Sequence, residues 1–172
     1  MEVINIHRRI INQPKETITP LLGTLASDKD QMLAIDKWPA MFLDRGLKVG
    51  SKGGHGTIRY TVIKYIPGEC ICFRFTRPKG FNGIHEFKIS ELTADQSEIK
   101  HEIHMKISGW AMVTWPLAIR WLHDAYIEDA FDRVENHFSS ENKVSNWSYW
   151  VQFLRGLFKL MHKKNTLLTG AF

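Results

Sequence analysis

Hydrophobic and polar residues alternate along four segments in the middle of the chain. The segments are 57–66 (TIRYTVIKYI), 70–77 (CICFRFTR), 84–92 (IHEFKISEL) and 97–108 (SEIKHEIHMKIS). An apolar residue at every second position is typical of strands with one buried and one solvated face. The intervening Pro67-Gly68 and PKGFNG sequences favour tight turns, so the pattern predicts an antiparallel meander of four strands.

The regions on either side of this meander predict one more strand and three helices. Residues 2–11 are rich in β-branched side chains and end at a turn before Pro14, which favours a strand. Residues 14–26 and 28–36 are consistent with two short helices, and 116–138 repeats its apolar residues with the period of a long helix. The predicted class is therefore α+β, with the long helix covering one face of an antiparallel sheet.

The segment from Trp38 to Gly56 has the composition of a loop, with a further short strand expected around Leu47–Gly50. Within it, SKGGHG places His55 among three glycines. Glycines permit sharp turns and a close approach of the backbone to a ligand. His55 is therefore expected on a loop, either in a plain turn or at the mouth of a cavity.

Acidic residues form a stripe along one side of the long helix. The stripe consists of Asp124, Glu128, Asp132 and Glu135, spaced by four, four and three residues. His123 has Ile127 at position i+4, so the two-ligand spacing of HExxH metal sites is absent. We interpret the stripe as a solvated face rather than a carboxylate metal site.

Three histidines are predicted to point into the apolar layer between sheet and helix. His85 and His101 share strand faces with apolar neighbours, and His123 lies in the middle of the apolar arc of the helix. The other residues expected to line this cavity or core are Phe73, Phe75, Phe87, Ile89, Ile103, Met105, Tyr126, Ala130 and Val134. Three histidines entering one apolar space are a more specific signal than the acidic stripe.

Composition limits the class of protein. A chain of 172 residues with 44% hydrophobic and 24% charged residues fits one soluble domain with a core or a cavity. Cys70 and Cys72 lie two apart on one strand, so neither a disulfide nor a zinc framework is expected. No signal peptide or transmembrane helix is expected, and the cysteine content favours the cytoplasm.

The net charge of +5 is concentrated at the C-terminus. Residues 140–172 contain five Lys or Arg against the single acid Glu141, whereas the other 139 residues contain 18 cations and 17 acids. The body is therefore almost neutral. Since no nucleic-acid-binding motif is present either, binding to nucleic acid is not expected.

Within this basic segment, Trp147–Lys163 (WSYWVQFLRGLFKLMHK) predicts an amphipathic helix. Its apolar residues fill an arc of roughly 200°, and its cations lie on the other side. A helix with tryptophan and phenylalanine on one side and cations on the other is typical of peripheral contact with a membrane surface. Packing on the body or on a second subunit, as a homodimer, is favoured, because so wide an exposed apolar face is a solubility liability.

The order of elements and several strings resemble the START-like helix-grip superfamily (SRPBCC), which includes polyketide cyclases, START lipid carriers and pollen-allergen-type ligand carriers. The strings are IINQPKE after the first strand, GGHGTIRYTV, YIPGECICFRF, GFNGIHEF and the final WPLAIRWLHDAYIEDAFDRVENHF. The resemblance covers residues 1–139 and leaves 140–172 as a basic helical extension. It implies a curved sheet around the long helix and a cavity for an apolar small molecule, but no particular chemistry.

Four roles remain open for His85, His101 and His123: metal ligands, acid/base catalysts, anchors for a ligand, or buried structural groups. A zinc site would need three ring nitrogens to converge on one point, which nothing in the sequence indicates. No metal and no other cofactor is therefore expected. Anchoring of a ligand is favoured, because an isolated polar group in an apolar pocket orients what binds there.

Three hypotheses for the function follow. The first is an intracellular carrier or sensor of an apolar small molecule, such as a lipid, a polyketide-like compound or an aromatic metabolite. The second is an enzyme of the cyclase or aromatase kind, in which the cavity histidines act as acids and bases. The third is a peripheral membrane or partner-binding protein that acts through its C-terminal helix.

Overall fold

The structure is a computed structural model that describes the backbone of residues 1–169 and the side chains of residues 1–160. The strands are β1 (Glu2–Ile11), β2 (Phe42–Leu43), β3 (Lys52–His55), β4 (Ile58–Ile66), β5 (Cys70–Arg77), β6 (Phe81–Thr93) and β7 (Gln96–Ile107). The helices are α1 (Lys15–Leu22), α2 (Ala111–Thr114), a π-helical segment (Trp115–Ile119), α3 (Arg120–Phe138) and α4 (Tyr149–Thr169). The strands form one antiparallel sheet in the order β1-β7-β6-β5-β4-β3-β2, which confirms the predicted meander as β4 to β7.

Helix α3 packs across one face of the sheet, and the main core lies between them. The strands contribute Phe73, Phe87 and Ile99, and α3 contributes Phe131 and Val134, all of them at most 1% exposed. Burial of such a side chain contributes about 1.5–3 kcal/mol, so this layer dominates the stabilisation of the fold. The predicted α+β class and its helix-grip arrangement are confirmed.

The segment between β1 and β2 contains one helix instead of the two predicted, because residues 28–36 form turns. The carboxylate of Asp30 accepts hydrogen bonds from the backbone N–H groups of Ala26, Met32 and Leu33 at 2.9–3.0 Å. A side chain that takes these donors replaces the hydrogen bonds of a helix. The prediction of a second helix was therefore wrong for a local reason.

The prediction of a strand around Leu47–Gly50 was also wrong, since these residues form a turn between β2 and β3. Gly53, Gly54 and His55 belong to β3, so the GGHG sequence is part of the sheet and not the predicted loop. A Cβ on Gly53 would collide with a carbonyl oxygen of β2, and one on Gly54 with a carbonyl oxygen of β4. Close packing of three backbones explains these glycines, and His55 is held by a strand.

The long helical run begins earlier than predicted and contains a π-helical turn. α2, the π-helical segment and α3 follow one another from Ala111 to Phe138. Pro116 lies in the π-helical segment, and proline has no N–H for the regular helical hydrogen bond. The indole N–H of Trp121 donates to the carbonyl oxygen of Pro116 at 3.0 Å. This local widening accommodates the proline without ending the helix.

The acidic stripe of α3 is not the solvated face that was predicted, because it faces Asn5, His7 and Arg9 of β1. The contacts are Asn5 Nδ2 to Asp124 Oδ1 (2.9 Å), His7 Nε2 to Asp124 Oδ1 (3.1 Å), His7 Nδ1 to Glu128 Oε1 (2.7 Å), Arg9 Nη2 to Glu128 Oε2 (2.9 Å) and Arg9 Nη1 to Asp132 Oδ1 (3.0 Å). Two strand residues advance by about 6.6 Å and four helical residues by about 6 Å. Every second side chain of β1 therefore lies opposite every fourth side chain of α3. We call these six residues the ion-pair seam.

Asp129 of α3 fixes the loop after α1 and the start of the C-terminal extension. Its buried carboxylate accepts hydrogen bonds from Lys37 Nζ (2.8 Å), Trp38 Nε1 (2.7 Å) and Trp147 Nε1 (2.8 Å). The guanidinium of Arg155, on α4, lies 4.1 Å from the ring centre of Trp38 and 3.8 Å from that of Trp147. Charge-assisted hydrogen bonds and cation–π contacts thus hold α4 on the body.

The predicted helix Trp147–Lys163 is present as α4, and half of its apolar arc packs on the body. Val151 and Leu154 are buried in this half, whereas the adjacent half, which includes Phe153 and Leu157, is exposed. The side chains of residues 161–163 lie outside the described residues. None of the helices is long and apolar enough to cross a membrane, over the residues that the structure describes. Contact with a membrane surface or a second subunit stays a prediction.

Candidate functional site

A cavity of about 470 Å³ lies between the sheet and α3. Four elements each place one histidine in its wall: His55 from β3, His85 from β6, His101 from β7 and His123 from α3. The rest of the wall is mostly apolar and aromatic, and Phe158 of α4 closes one side. A space of this size holds a compact small molecule.

Seven of the nine residues that were predicted to bind a ligand line this cavity: His55, Phe75, His85, Phe87, His101, His123 and Tyr126. Phe73 does not, because its ring is fully buried and stacks on His85 with the centroids 4.7 Å apart. Met105 does not either, because it packs with Val3 and Phe81 in a second, smaller buried cluster. Phe73 therefore belongs to the core, which the prediction of a cavity or core included, whereas for Met105 the expectation of one shared layer is corrected. Contact of the other seven with a ligand stays a prediction.

His85 and His101 form a hydrogen-bonded pair in the wall. His101 Nε2 lies 3.4 Å from His85 Nδ1, and both side chains are buried. The outer nitrogens of the pair, His85 Nε2 and His101 Nδ1, have no hydrogen-bond partner. Whichever inner nitrogen carries the proton, the pair offers one unused N–H donor and one unused nitrogen acceptor. Such a pair can pass a proton from one outer nitrogen to the other.

His55 contacts two tyrosines, and one of them, Tyr60, also contacts His85 of the histidine pair. Its Nδ1 lies 3.1 Å from the hydroxyl oxygen of Tyr60, and its ring stacks on Tyr126 with the centroids 4.9 Å apart. Tyr60 meets the ring of His85 edge-on at 4.8 Å. β3 therefore places a polar ring against α3, in contact with the same aromatic row as His85.

Burial keeps the four cavity histidines neutral. It lowers the pKa of His55 to about 4, and it lowers the pKa values of His85 and His101 well below the ordinary 6.5. Burial also lowers the pKa of His123, and repulsion from His7 adds to this effect. A neutral imidazole both donates and accepts hydrogen bonds, so the histidine part of the wall is polar without being charged at neutral pH.

Several buried polar atoms of this wall lack hydrogen-bond partners. Among the described side chains they include both ring nitrogens of His123 and the hydroxyl of Tyr126, besides the outer nitrogens of the histidine pair. Each buried polar group that stays unpaired costs about 1–3 kcal/mol. A ligand with hydrogen-bonding groups would relieve this cost after small rotations of the rings.

Among the residues whose side chains the structure describes, His7, His123 and Asp124 form the group that could hold a metal ion, since one donor atom of each lies within 4.8 Å of the others. Burial lowers the pKa of His7, but the hydrogen bonds that its ring donates to Asp124 and Glu128 outweigh this effect and raise that pKa to about 9. A ring that is protonated at both nitrogens does not bind a metal. We therefore interpret the group as an ion pair. The expected absence of a metal at the cavity histidines stays a prediction.

Cys70 and Cys72 are free and buried. Burial first, and the charge of Glu86 second, raise the pKa of Cys72 to about 11. The reactive form of cysteine is the thiolate, which this shift disfavours. Both residues are best described as packing residues.

Sequence reasoning missed the cavity residues that lie outside the four strands and α3. Trp38 and Met41 lie in an irregular loop, Trp115 precedes the predicted helix, and Phe158 belongs to the C-terminal extension. None of these positions lies in the periodic segments from which the cavity was predicted. The one available signal was the tryptophan content of these regions, which points to burial but not to a location.

No protein-family model matches the sequence, and no curated protein sequence matches it significantly. Solved structures do match the fold. A protein of Nitrosospira multiformis has a TM-score of 0.60 at 15% identity, over 81% of this chain and 97% of that chain. CalU16 of Micromonospora echinospora has a TM-score of 0.56 at 14% identity, over 91% and 86% of the two chains.

Norcoclaurine synthase of Thalictrum flavum, as a point mutant in complex with a transition state analogue, has a TM-score of 0.58 at 12% identity. The match covers 81% of this chain and 98% of that chain. At such low identities the similarity supports the helix-grip fold and assigns no role to any residue.

Proposed function

We propose that the protein binds an apolar small molecule with a few hydrogen-bonding groups in the cavity between the sheet and α3. The observation that carries this proposal is the set of buried, neutral and unpaired polar groups on His85, His101, His123 and Tyr126, in a wall that is otherwise apolar. Apolar walls contribute affinity, and a small number of polar groups fixes the orientation of the ligand.

The wall also favours a particular class of ligand. Neutral imidazoles and a tyrosine hydroxyl suit hydroxyl and carbonyl groups better than full charges, because a charge in this wall would stay uncompensated. On the side of α4, Lys37, Arg155 and Lys159 line the cavity, and one guanidinium nitrogen of Arg155 has no partner. A hydroxylated aromatic or polyketide-like molecule would match both parts of the wall, with its hydroxyl groups at the histidines and a carbonyl or acidic group at the cations near α4.

A cyclase or aromatase activity is the second candidate, and the paired His85 and His101 are the observation that favours it. The pair could take a proton from a bound substrate at one nitrogen and release another proton at the opposite end. A general base works best with a pKa near the operating pH, whereas burial lowers the pKa values of both rings. We therefore place binding ahead of catalysis.

Titration calorimetry with 2-naphthol, a neutral hydroxylated aromatic compound, tests the proposal. Leu122→Trp fills the cavity, because Leu122 is part of its wall. Leu92→Trp is the matched control, because Leu92 is 47% exposed at the end of β6. We expect the wild type and Leu92→Trp to bind 2-naphthol alike, and Leu122→Trp to bind at least about tenfold more weakly. Equal binding by both variants would contradict the cavity as the site.

Native mass spectrometry of the purified protein complements this titration, because a molecule retained from the cell would identify the ligand. Incubation of that molecule with the protein then separates the two candidates. Formation of a new product that is lost in His85→Phe, while binding is retained, would favour the enzyme. Recovery of the unchanged molecule would favour the carrier.

A further inference from the structure

One side of α4 presents a row of large apolar side chains to solvent. Phe153 is 58% exposed and Leu160 is 68% exposed, and Tyr149, Trp150 and Leu157 lie in the same row. These five positions fall in one sector of about 100° around the helix axis. The neighbouring sector of the same apolar arc carries Val151 and Leu154, which already pack on the body. Packing within the chain therefore accounts for only half of the apolar arc of α4.

A second exposed apolar row lies at the start of the long helical run. It consists of Trp110, which is 77% exposed, and of Val113, Leu117 and Trp121. The indole N–H of Trp150 donates to the carbonyl oxygen of Leu117 at 2.9 Å, which places the two rows side by side. We call the nine residues of the two rows the apolar platform. Three exposed tryptophans on one surface are unusual for a monomeric soluble protein.

The charges in these segments have one sign. Between residues 108 and 123 the only charged residue is Arg120, and after Glu141 the chain contains five Lys or Arg and no acid. Of these five, Lys143 pairs with Glu135, and Arg155 and Lys159 line the cavity, which leaves Lys163 and Lys164 in the sequence of α4. Arg120 lies 3.5 Å from Asp124, yet its side chain is 58% exposed at the border of the platform. Two copies that met through this surface would bring cations together. Charge complementarity therefore favours an anionic partner over a second copy of the chain.

We propose that the apolar platform docks on the surface of a membrane that contains anionic lipids. Tryptophan and leucine side chains at the headgroup boundary, with cations beside them, bind such a surface through apolar burial and electrostatic attraction together. The same helical elements form part of the cavity wall, through Trp115, Ile119 and Phe158. Docking would therefore bring the bilayer next to the cavity. The proposal goes beyond the cavity's function and does not depend on it.

Co-sedimentation of the full chain with vesicles of phosphatidylcholine, with or without phosphatidylserine, tests the proposal. The variant Leu117→Glu/Phe153→Glu places one acid in each row of the platform. The matched control Ile4→Glu/Val49→Glu replaces two other exposed apolar side chains, on β1 and on a turn. We expect the wild type and the control to bind vesicles that contain phosphatidylserine, and the platform variant to lose at least about tenfold in binding. Added salt should weaken the binding.

Three results would overturn the proposal: no binding by the wild type, equal binding by the platform variant, or a dimer in sedimentation equilibrium that the platform variant converts to a monomer. The last result would show that the apolar platform is the interface of a homodimer. Titration of each variant with 2-naphthol, without lipid, shows separately whether the cavity is intact. A failure of membrane docking is thereby distinguished from a failure of the cavity proposal.

Discussion

His123 is buried in the cavity wall without a hydrogen bond at either ring nitrogen, among the described residues. Its Nδ1 lies 3.6 Å from Asp124 Oδ1, which is too long for a hydrogen bond, and its ring centre lies 5.0 Å from that of His101. An unpaired polar group destabilises a fold, so its presence is best explained by a function. At this position the requirements of stability and of binding are opposed.

Replacement of His123 by phenylalanine separates the two requirements. Phenylalanine nearly conserves the volume of the ring and removes two unpaired polar atoms, so we expect the free energy of unfolding to rise by about 1 kcal/mol. Binding of 2-naphthol should weaken by about tenfold, because one hydrogen bond is lost. Urea unfolding and calorimetry measure the two effects. His104→Phe, on the exposed side of β7, should change neither, and a destabilised His123→Phe with unchanged binding would contradict the prediction.

The orientation of single side chains was predictable where the backbone fixes it. His85 and His101 point inward as predicted, because successive side chains of a strand alternate between the two faces of the sheet. The surroundings of His55 were not predictable. The two glycines before it are required by the close approach of the β2 and β4 backbones, which no local sequence pattern shows. Phe73 also has the predicted inward orientation. However, Phe73 lies behind the ring of His85 and not at the cavity surface, and this position depends on side-chain packing, which sequence periodicity does not predict.

At the scale of elements, the pairing of surfaces was the unpredictable part. The alternation of Asn5, His7 and Arg9 on β1 and the stripe of acids on α3 are both visible in the sequence. Nothing local shows that the two rows face each other, since they lie about 120 residues apart. The same holds for α4, whose amphipathic pattern was evident but whose contact with Trp38 and Trp147 through Arg155 was not.

Asp129→Asn should loosen α4 and the loop before β2 together. Both indole N–H groups donate to Oδ2 of Asp129, and Lys37 Nζ donates to Oδ1. An amide that keeps its oxygen toward the tryptophans turns its NH2 group, a second donor, toward the Lys37 ammonium and cannot neutralise that charge. Loss of a buried charge partner costs about 3 kcal/mol. We expect that decrease in the free energy of unfolding and faster amide hydrogen exchange in α4. The matched control is Asp36→Asn, whose exposed ion pair with Arg133 should contribute less than about 1 kcal/mol.

For the whole molecule, the protonation of histidines makes stability depend on pH in two opposite ways. The cavity histidines bind protons more weakly in the folded state than in the unfolded chain, because burial lowers their pKa values. His7 binds its proton more tightly when folded, because the acids of α3 raise its pKa to about 9. The cavity histidines therefore oppose folding below their unfolded pKa of 6.5. His7 supports folding, and this contribution is lost as the pH rises from 6.5 through 9.

We therefore expect the free energy of unfolding to be greatest near about pH 7. Towards pH 5 it should fall, because unfolding releases the cavity histidines to take up protons, each contributing up to about 1.4 kcal/mol per pH unit. Between about pH 7 and 9 it should fall more gently, because the unfolded chain has lost the proton that His7 keeps in the folded protein. Urea unfolding at a series of pH values measures the profile. His123→Phe should reduce the acid slope by one proton and His104→Phe should not, while a flat profile from pH 5 to 7 would show that the cavity histidines are not buried as neutral groups.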